Sequence, residues 1–103
     1  MAPFCKTKTR RAAPTNLNTP GFLAAICDSQ TIRKIGVDYC ATTPDEAKEN
    51  ALTQLLTTGG DQPDQLVKKV NDDFASGRTV TLDGWIIAIT EARQCALYSL
   101  QLP

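Results

Sequence analysis

The sequence predicts an α+β fold: a mostly antiparallel sheet made of two β-hairpins, with two central helices packed on one face. Apolar and polar residues alternate over 34–39 and again over 78–82, which is the period of a half-buried strand. Asp83-Gly84 lies between β-rich stretches and is a strong hairpin signal. Two segments between these strands carry apolar residues at helical spacing. The predicted order is β-β-α-α-β-β-α.

Length and charge define the domain organisation. A chain of 103 residues has room for one modest core, so we predict a single globular domain over 21–103 after a basic arm over 1–20. The arm contains three prolines and shows no apolar period, which is typical of an extended segment. Six basic residues and one acidic residue lie between Met1 and Lys34, whereas five basic and ten acidic residues follow. Such a basic arm is typical of contact with nucleic acid or an acidic partner.

The first predicted hairpin joins a short apolar run at 22–27 to the alternating stretch at 32–40. Residues 28–31 are polar and include turn formers, so they predict the connection. If the 22–27 strand lies outermost, no charge or proline within it guards its edge. A strand of a partner or of a second copy could then pair with it. Leu23 and Ala25 are the candidate contacts on this strand.

The two central helices are predicted from their start and stop signals. The TPDE segment at 43–46 is typical of a helix start, because threonine can cap, proline fits the first position and glutamate can complete a capping box. We predict one helix from there to the glycine pair at 59–60, and a second from Asp61 to Gly77. Their apolar faces predict a core that contains Tyr39, Leu55, Phe74 and Trp85.

The second hairpin is predicted to turn at Asp83-Gly84, which sets Leu82 opposite Trp85 and Val80 opposite Ile87. Thr79, Thr81, Ile86 and Ala88 then share an exposed or thinly covered face. The tail after Thr90 has two interpretations. Its composition favours a helix capped by Thr90, and the alternative is another strand with Tyr98, Leu100 and Leu102 facing inward.

The sequence offers little catalytic chemistry. It has no histidine, which removes Ser-His-Asp and Cys-His catalysis and histidine-containing zinc sites. The four cysteines form no C-x-x-C pair and are not placed like activated thiols. Asp45, Glu46 and Glu49 could act as acid and base or hold a metal, but interaction with a helix dipole accounts for all three. We predict no enzyme activity and no cofactor or metal.

Cysteine usage and hydropathy also predict the compartment. No apolar stretch has the length of a signal peptide or a membrane span. We therefore expect a cytoplasmic protein with free thiols and no membrane partner.

The segment IGVDYCATTPDEAKENALTQLL, residues 35–56, resembles the strand–turn–helix of double-stranded RNA-binding domains and of small antitoxin domains of the HicB kind. The resemblance rests on an alanine-containing helix opened by a short polar turn. It departs from the RNA-binding pattern where Pro44, Asp45 and Glu46 replace lysines, since acids repel phosphate. The resemblance implies a shared supersecondary structure and no family.

The favoured functional interpretation is a non-enzymatic protein-interaction or regulatory module, a subunit or inhibitor within a complex. Zero net charge and the unguarded strand edge favour association with a protein partner or self-association. The alternative is a nucleic-acid-binding protein that uses the basic arm together with two basic residues at 33–34. The candidate contact residues for partner or nucleic acid are Lys6, Lys8, Arg10, Arg11, Arg33, Lys34, Leu23, Ala25 and Ile86.

Overall fold

A computed structural model describes residues 17–60, 62–82 and 84–101, with the backbone alone for Phe22. In these ranges the chain is mostly helical, with five α-helices and one two-stranded antiparallel sheet. The elements are α1 (Gly21–Ile26), α2 (Ser29–Thr42), α3 (Glu49–Thr57), α4 (Pro63–Ser76), β1 (Thr79–Leu82), β2 (Trp85–Ala88) and α5 (Ile89–Gln101), with a 3-10 turn at Pro44–Glu46. The predicted α+β fold with two hairpins, in the order β-β-α-α-β-β-α, is therefore wrong. The observed order is α-α-α-α-β-β-α.

The strand predicted over 32–40 is part of helix α2. The polar segment before it is a helix cap, because Asp28 Oδ1 accepts a hydrogen bond from the Thr31 amide at 2.8 Å. The buried residues of α2 recur at helical spacing: Ile32, Ile35, Gly36 and Tyr39. Val37, in the middle of the predicted alternation, is 52% exposed. The sequence satisfies a period of two and a helical period at once, and packing on α5 selects the helix.

The strand predicted over 22–27 is also helical and corresponds to α1. Leu23 is buried in the core and Ala25 is half-buried, so neither lies on a free sheet edge. The prediction of strand addition at this segment is therefore wrong. The resemblance to a strand–turn–helix fails for the same reason, since its first part lies in α2.

Helix α5 is the central element and packs against α2, α3 and α4. At its crossing with α2 the two backbones nearly touch, because a Cβ on Gly36 would lie 2.1 Å from the Cys95 carbonyl oxygen. Glycine is required there because its missing side chain permits this approach. The core around the crossing comprises Leu23, Ile32, Ile35, Tyr39, Leu52, Leu56, Leu82, Ile87, Ala92, Cys95, Ala96 and Leu97.

Helix α3 begins later than predicted, at Glu49 instead of residue 43. The Thr43 hydroxyl donates to the Tyr39 carbonyl oxygen at 2.7 Å, so this side chain helps to end α2 instead of opening the next helix. The following Pro44–Glu46 segment forms the 3-10 turn. The start signals were real, but they belong to a connection between two helices.

Helix α4 confirms the second predicted central helix. Pro63 opens it, with Gln62 and Gln65 forming a capping box. It ends at Gly77, whose φ of 76° is left-handed. Asp61, the predicted first residue, lies outside the described residues.

The predicted core is only partly right. Tyr39 is buried and Trp85 is half-buried, whereas Leu55 and Phe74 are exposed. Each helix buries a narrower stripe than its apolar residues suggest, because α3 and α4 lie at the periphery around α5.

The second hairpin has the predicted register, with Leu82 opposite Trp85 and Val80 opposite Ile87. Gly84 has a φ of 84°, as the predicted turn requires, while Asp83 lies outside the described residues. The predicted outer face is mixed: Thr81 and Ile86 are exposed, but Thr79 is half-buried and Ala88 is buried. The tail is the helix α5, so its interpretation as a strand is wrong.

Candidate functional site

A groove of about 380 Å³ opens between α1, α4 and β2, with the first turn of α5 at its base. Its walls are apolar and come from distant parts of the chain: Leu23 and Ile26 from α1, Val70 and Phe74 from α4, and residues 85–87 from β2. The polar lining residues are Asn71 and Glu91. Concave apolar surfaces with a few polar groups are the usual form of binding sites. We refer to this surface as the groove.

The groove is lined by large apolar side chains that are exposed to solvent. Within the described residues six large hydrophobic side chains are exposed, and three of them line the groove. Ile26 is 54% exposed, Phe74 48% and Ile86 68%. A contiguous apolar patch of this kind is typical of an interaction surface.

Glu91 supplies the charge in the groove. It is only 4% exposed, and its Oε1 accepts a hydrogen bond from the Ala88 amide at 3.0 Å. This bond reaches back over the first turn of α5, as the glutamate of a capping box does. Burial raises the pKa of Glu91, and the neighbouring carboxylate of Asp73 adds to that increase.

Asp73 stands beside Glu91 but has partners of its own. Its two carboxylate oxygens accept from Arg78 Nε at 3.1 Å and from the Thr90 amide at 2.9 Å. These bonds tie the end of α4 to the hairpin and to the start of α5. Among the side chains that line the groove, Glu91 is the one with a formal charge.

A second carboxylate, Glu46, lies in a closed network with Tyr39 and Arg93. Glu46 Oε1 accepts from the Tyr39 hydroxyl at 2.7 Å and from Arg93 Nε at 3.0 Å, and Oε2 accepts from Arg93 Nη2 at 3.2 Å. The Arg93 hydrogen bonds lower the pKa of Glu46. Burial, and then the bond to Glu46, raise the pKa of Tyr39 to about 12. We refer to these three residues as the Glu46 network.

Glu46 belongs to the acidic cluster at 45–49 that the sequence analysis considered for acid–base or metal chemistry. The Glu46 network gives this residue a structural role. It fastens the 3-10 turn to α2 and α5. Asp45 and Glu49 are exposed. The described ranges contain no group of three side chains able to hold a metal ion.

The cysteines of the described ranges are free thiols: Cys27, Cys40 and Cys95. Burial raises the pKa of Cys40 and of Cys95, which lowers their thiolate content and so their reactivity. The fourth cysteine, Cys5, lies outside the described residues.

The predicted contact residues do not form one surface in the structure. The four basic residues of the arm, Lys6, Lys8, Arg10 and Arg11, lie outside the described residues. Arg33 and Lys34 are exposed on α2, and Lys34 Nζ bonds Asp38 at 3.3 Å. Leu23 and Ile86 meet in the groove, although the first is largely buried, and Ala25 is not among the lining residues.

Of the nine residues that line the groove, the sequence predicts only Leu23 and Ile86 as candidate contacts. The seven that sequence reasoning missed are Ile26, Val70, Asn71, Phe74, Trp85, Ile87 and Glu91. The sequence predicts Phe74 in the core because it continues the apolar stripe of α4. Ile87 could be found from the Ile86-Ile87 pair, since adjacent isoleucines place apolar side chains on both faces of a strand. Glu91 carried no signal of its own.

Within the part of the chain that the structure describes, no helix combines the length and apolar character needed to cross a membrane. Comparison with protein-family models, with curated proteins and with solved structures finds no significant match to this chain.

Proposed function

We propose that this chain is a small non-enzymatic protein-interaction module that acts as a subunit or inhibitor within a complex and binds its partner through the groove. The observation that carries the proposal is the exposure of Ile26, Phe74 and Ile86 around one concave surface. A partner that covers these side chains removes apolar area from water, which is the main favourable term in protein association. Large aromatic and aliphatic side chains around a pocket are the usual anchors of such contacts.

The chemistry of the remaining side chains supports a binding role over catalysis. The pKa of each of the thiols Cys40 and Cys95 is raised, and Glu46 is held by Arg93. The free thiols of the described ranges also support a reducing compartment, and we place the protein in the cytoplasm.

Nucleic-acid binding through the basic arm, with Arg33 and Lys34, stays a prediction. Several cations of the described ranges bond a carboxylate: Lys34, Lys68, Arg78 and Arg93. Such pairing lowers the net positive charge that a phosphate backbone would meet. The groove therefore has the stronger claim to be the contact surface.

The proposal is tested by selecting a random peptide library on the immobilised full chain, on Ile86→Lys and on Val37→Lys. Val37 is the matched control, because it is an exposed apolar residue on α2 that does not line the groove. We expect the wild type and Val37→Lys to enrich the same peptides. Ile86→Lys should reduce their binding about tenfold or more, since it places a charge among the apolar side chains that a partner would cover.

Circular dichroism and thermal melting should show that both variants fold like the wild type. If Ile86→Lys retains the same peptides with the same affinity, the groove is not the contact surface. If no peptide is enriched on the wild type, the proposed function is wrong.

A further inference from the structure

We infer that the segment bound in the groove is a basic amphipathic peptide segment of a partner protein, in which a lysine or arginine flanked by large apolar side chains meets Glu91. The inference rests on the proposed function and names the chemistry of the partner. The apolar walls define the flanking side chains, and the charge in the groove defines the cation.

The argument begins with the charge balance of the groove. Glu91 is the one charged residue among its lining side chains, and it is 4% exposed. The hydrogen bond from the Ala88 amide engages Oε1, and a carboxylate has a second oxygen that can accept from a partner. The neighbouring Asp73 already forms an ion pair with Arg78, whose Nε lies 3.1 Å from its Oδ1. A cation brought by the partner would therefore pair with the carboxylate of Glu91.

Covering the groove strengthens this preference. When a partner excludes water, the interaction between two charges near the apolar walls grows, because the effective dielectric constant falls. A neutral segment would bury the carboxylate further without compensation, and an acidic segment would add repulsion. The same groove that favours apolar side chains thus discriminates by charge.

A second copy of this chain fits the groove less well. A two-fold interface places the same surface on both sides, so Glu91 of one copy would approach Glu91 of the other. The lining residues include no lysine or arginine that could answer it. Like charges in a desolvated interface disfavour association, so a two-fold dimer through the groove is disfavoured.

The inference is tested by the same peptide selection on the wild type, on Glu91→Gln and on Glu49→Gln. Glutamine keeps an oxygen that can accept from the Ala88 amide while it removes the charge. Glu49→Gln removes an equal charge from an exposed position on α3, outside the groove. We expect apolar peptides with a central lysine or arginine on the wild type and on Glu49→Gln, and apolar peptides without a preferred cation on Glu91→Gln.

A titration with two peptides that differ at one position completes the test. Two synthetic peptides of the most enriched sequence, one with lysine and one with norleucine in its place, are titrated against the wild type and Glu91→Gln. We expect the wild type to prefer the lysine peptide about tenfold and Glu91→Gln to bind both about equally.

Three results overturn the inference. The first is a preference for lysine that persists in Glu91→Gln. The second is enrichment of neutral or acidic peptides whose binding still depends on Ile86, in which case the proposed function stands and this inference alone fails. The third is a dimer in native mass spectrometry that Ile86→Lys abolishes, because a second copy would then occupy the groove.

Discussion

Helix α5 takes part in two contrasting regions of the molecule. One is its contact with α2, and the other is the groove. At the first, the backbones of Gly36 and Cys95 nearly touch, and Glu46 finds its cation within the chain, on Arg93. At the second, about 380 Å³ stays open, and Glu91 faces apolar walls. Both sites use residues of α5. The difference separates a contact in which the charged groups pair within the chain from a surface on which large apolar side chains stay exposed.

The largest effect is expected at the crossing of α2 and α5. Replacing Gly36 with alanine would force its Cβ against the Cys95 carbonyl group, and the helices would have to separate. We expect the free energy of unfolding to fall by about 4 kcal/mol, above the usual range of about 1–3 kcal/mol for overpacking, because the Cβ would meet backbone atoms. Urea denaturation followed by circular dichroism measures the loss.

Gly77→Ala is the matched control for the change at Gly36. The described residues come no nearer than 4 Å to a Cβ at Gly77, but its φ of 76° disfavours alanine. We expect a cost of about 1 kcal/mol from backbone strain alone. Equal costs at the two glycines would mean that the crossing has room for a methyl group.

The next largest difference in stability is expected between a truncation in the core and one in the wall of the groove. Leu56 is 1% exposed, whereas Phe74 is 48% exposed. Leu56→Ala should lower the free energy of unfolding by about 3 kcal/mol, because it leaves a cavity. Phe74→Ala should cost less than about 1 kcal/mol, since much of the ring is already in water. If both cost the same in thermal or urea unfolding, the groove is part of the core.

The smallest difference in stability is expected between variants of the two glutamates, Glu46 and Glu91. Glu46→Gln removes the negative partner of Arg93 and should destabilise the protein by about 1–2 kcal/mol. Glu91→Gln keeps an acceptor for the Ala88 amide and removes a charge that burial disfavours, so stability should stay unchanged or rise slightly. A larger loss for Glu91→Gln than for Glu46→Gln would contradict the assignment of their environments.

The two glutamates should contribute to stability in opposite ways as the pH changes. Because the pKa of Glu46 lies below its ordinary value of 4.5 in the folded state, its stabilisation is present above 4.5 and is lost as pH falls through the folded pKa. Because the pKa of Glu91 is raised, its contribution is full below 4.5 and is lost as pH rises through the folded pKa. The stability differences between the wild type and the two glutamine variants should therefore change in opposite directions with pH.

Local signals were enough for part of the fold. Helix α4 and the β1–β2 hairpin could be predicted because Pro63, Gly77 and Asp83-Gly84 act through their own backbone preferences. The region of α1 and α2 could not, because Asp28 is as suitable for a turn as for a cap, and the apolar residues around Ile35 satisfy two periods. Only contact with α5 decides between them.

The groove was less accessible from the sequence than the fold. Ile86 could be found from the hairpin, because the register fixes which face it occupies. Phe74 and Glu91 could not, because α1, α4, β2 and the start of α5 come together only in three dimensions. Whether an apolar side chain on α4 is covered depends on what lies beside it, and the periodicity of α4 does not contain that information.

The junction between hairpin and helix has a mechanical consequence. β2 ends at Ala88 and α5 begins at Ile89, so the chain has no linker there that could act as a hinge. The strand that forms one wall of the groove is thus rigidly coupled to the axis of the central helix, and further fastened by the bond between Asp73 and the Thr90 amide. The wall formed by β2 should therefore keep its position relative to the central helix when the groove is occupied.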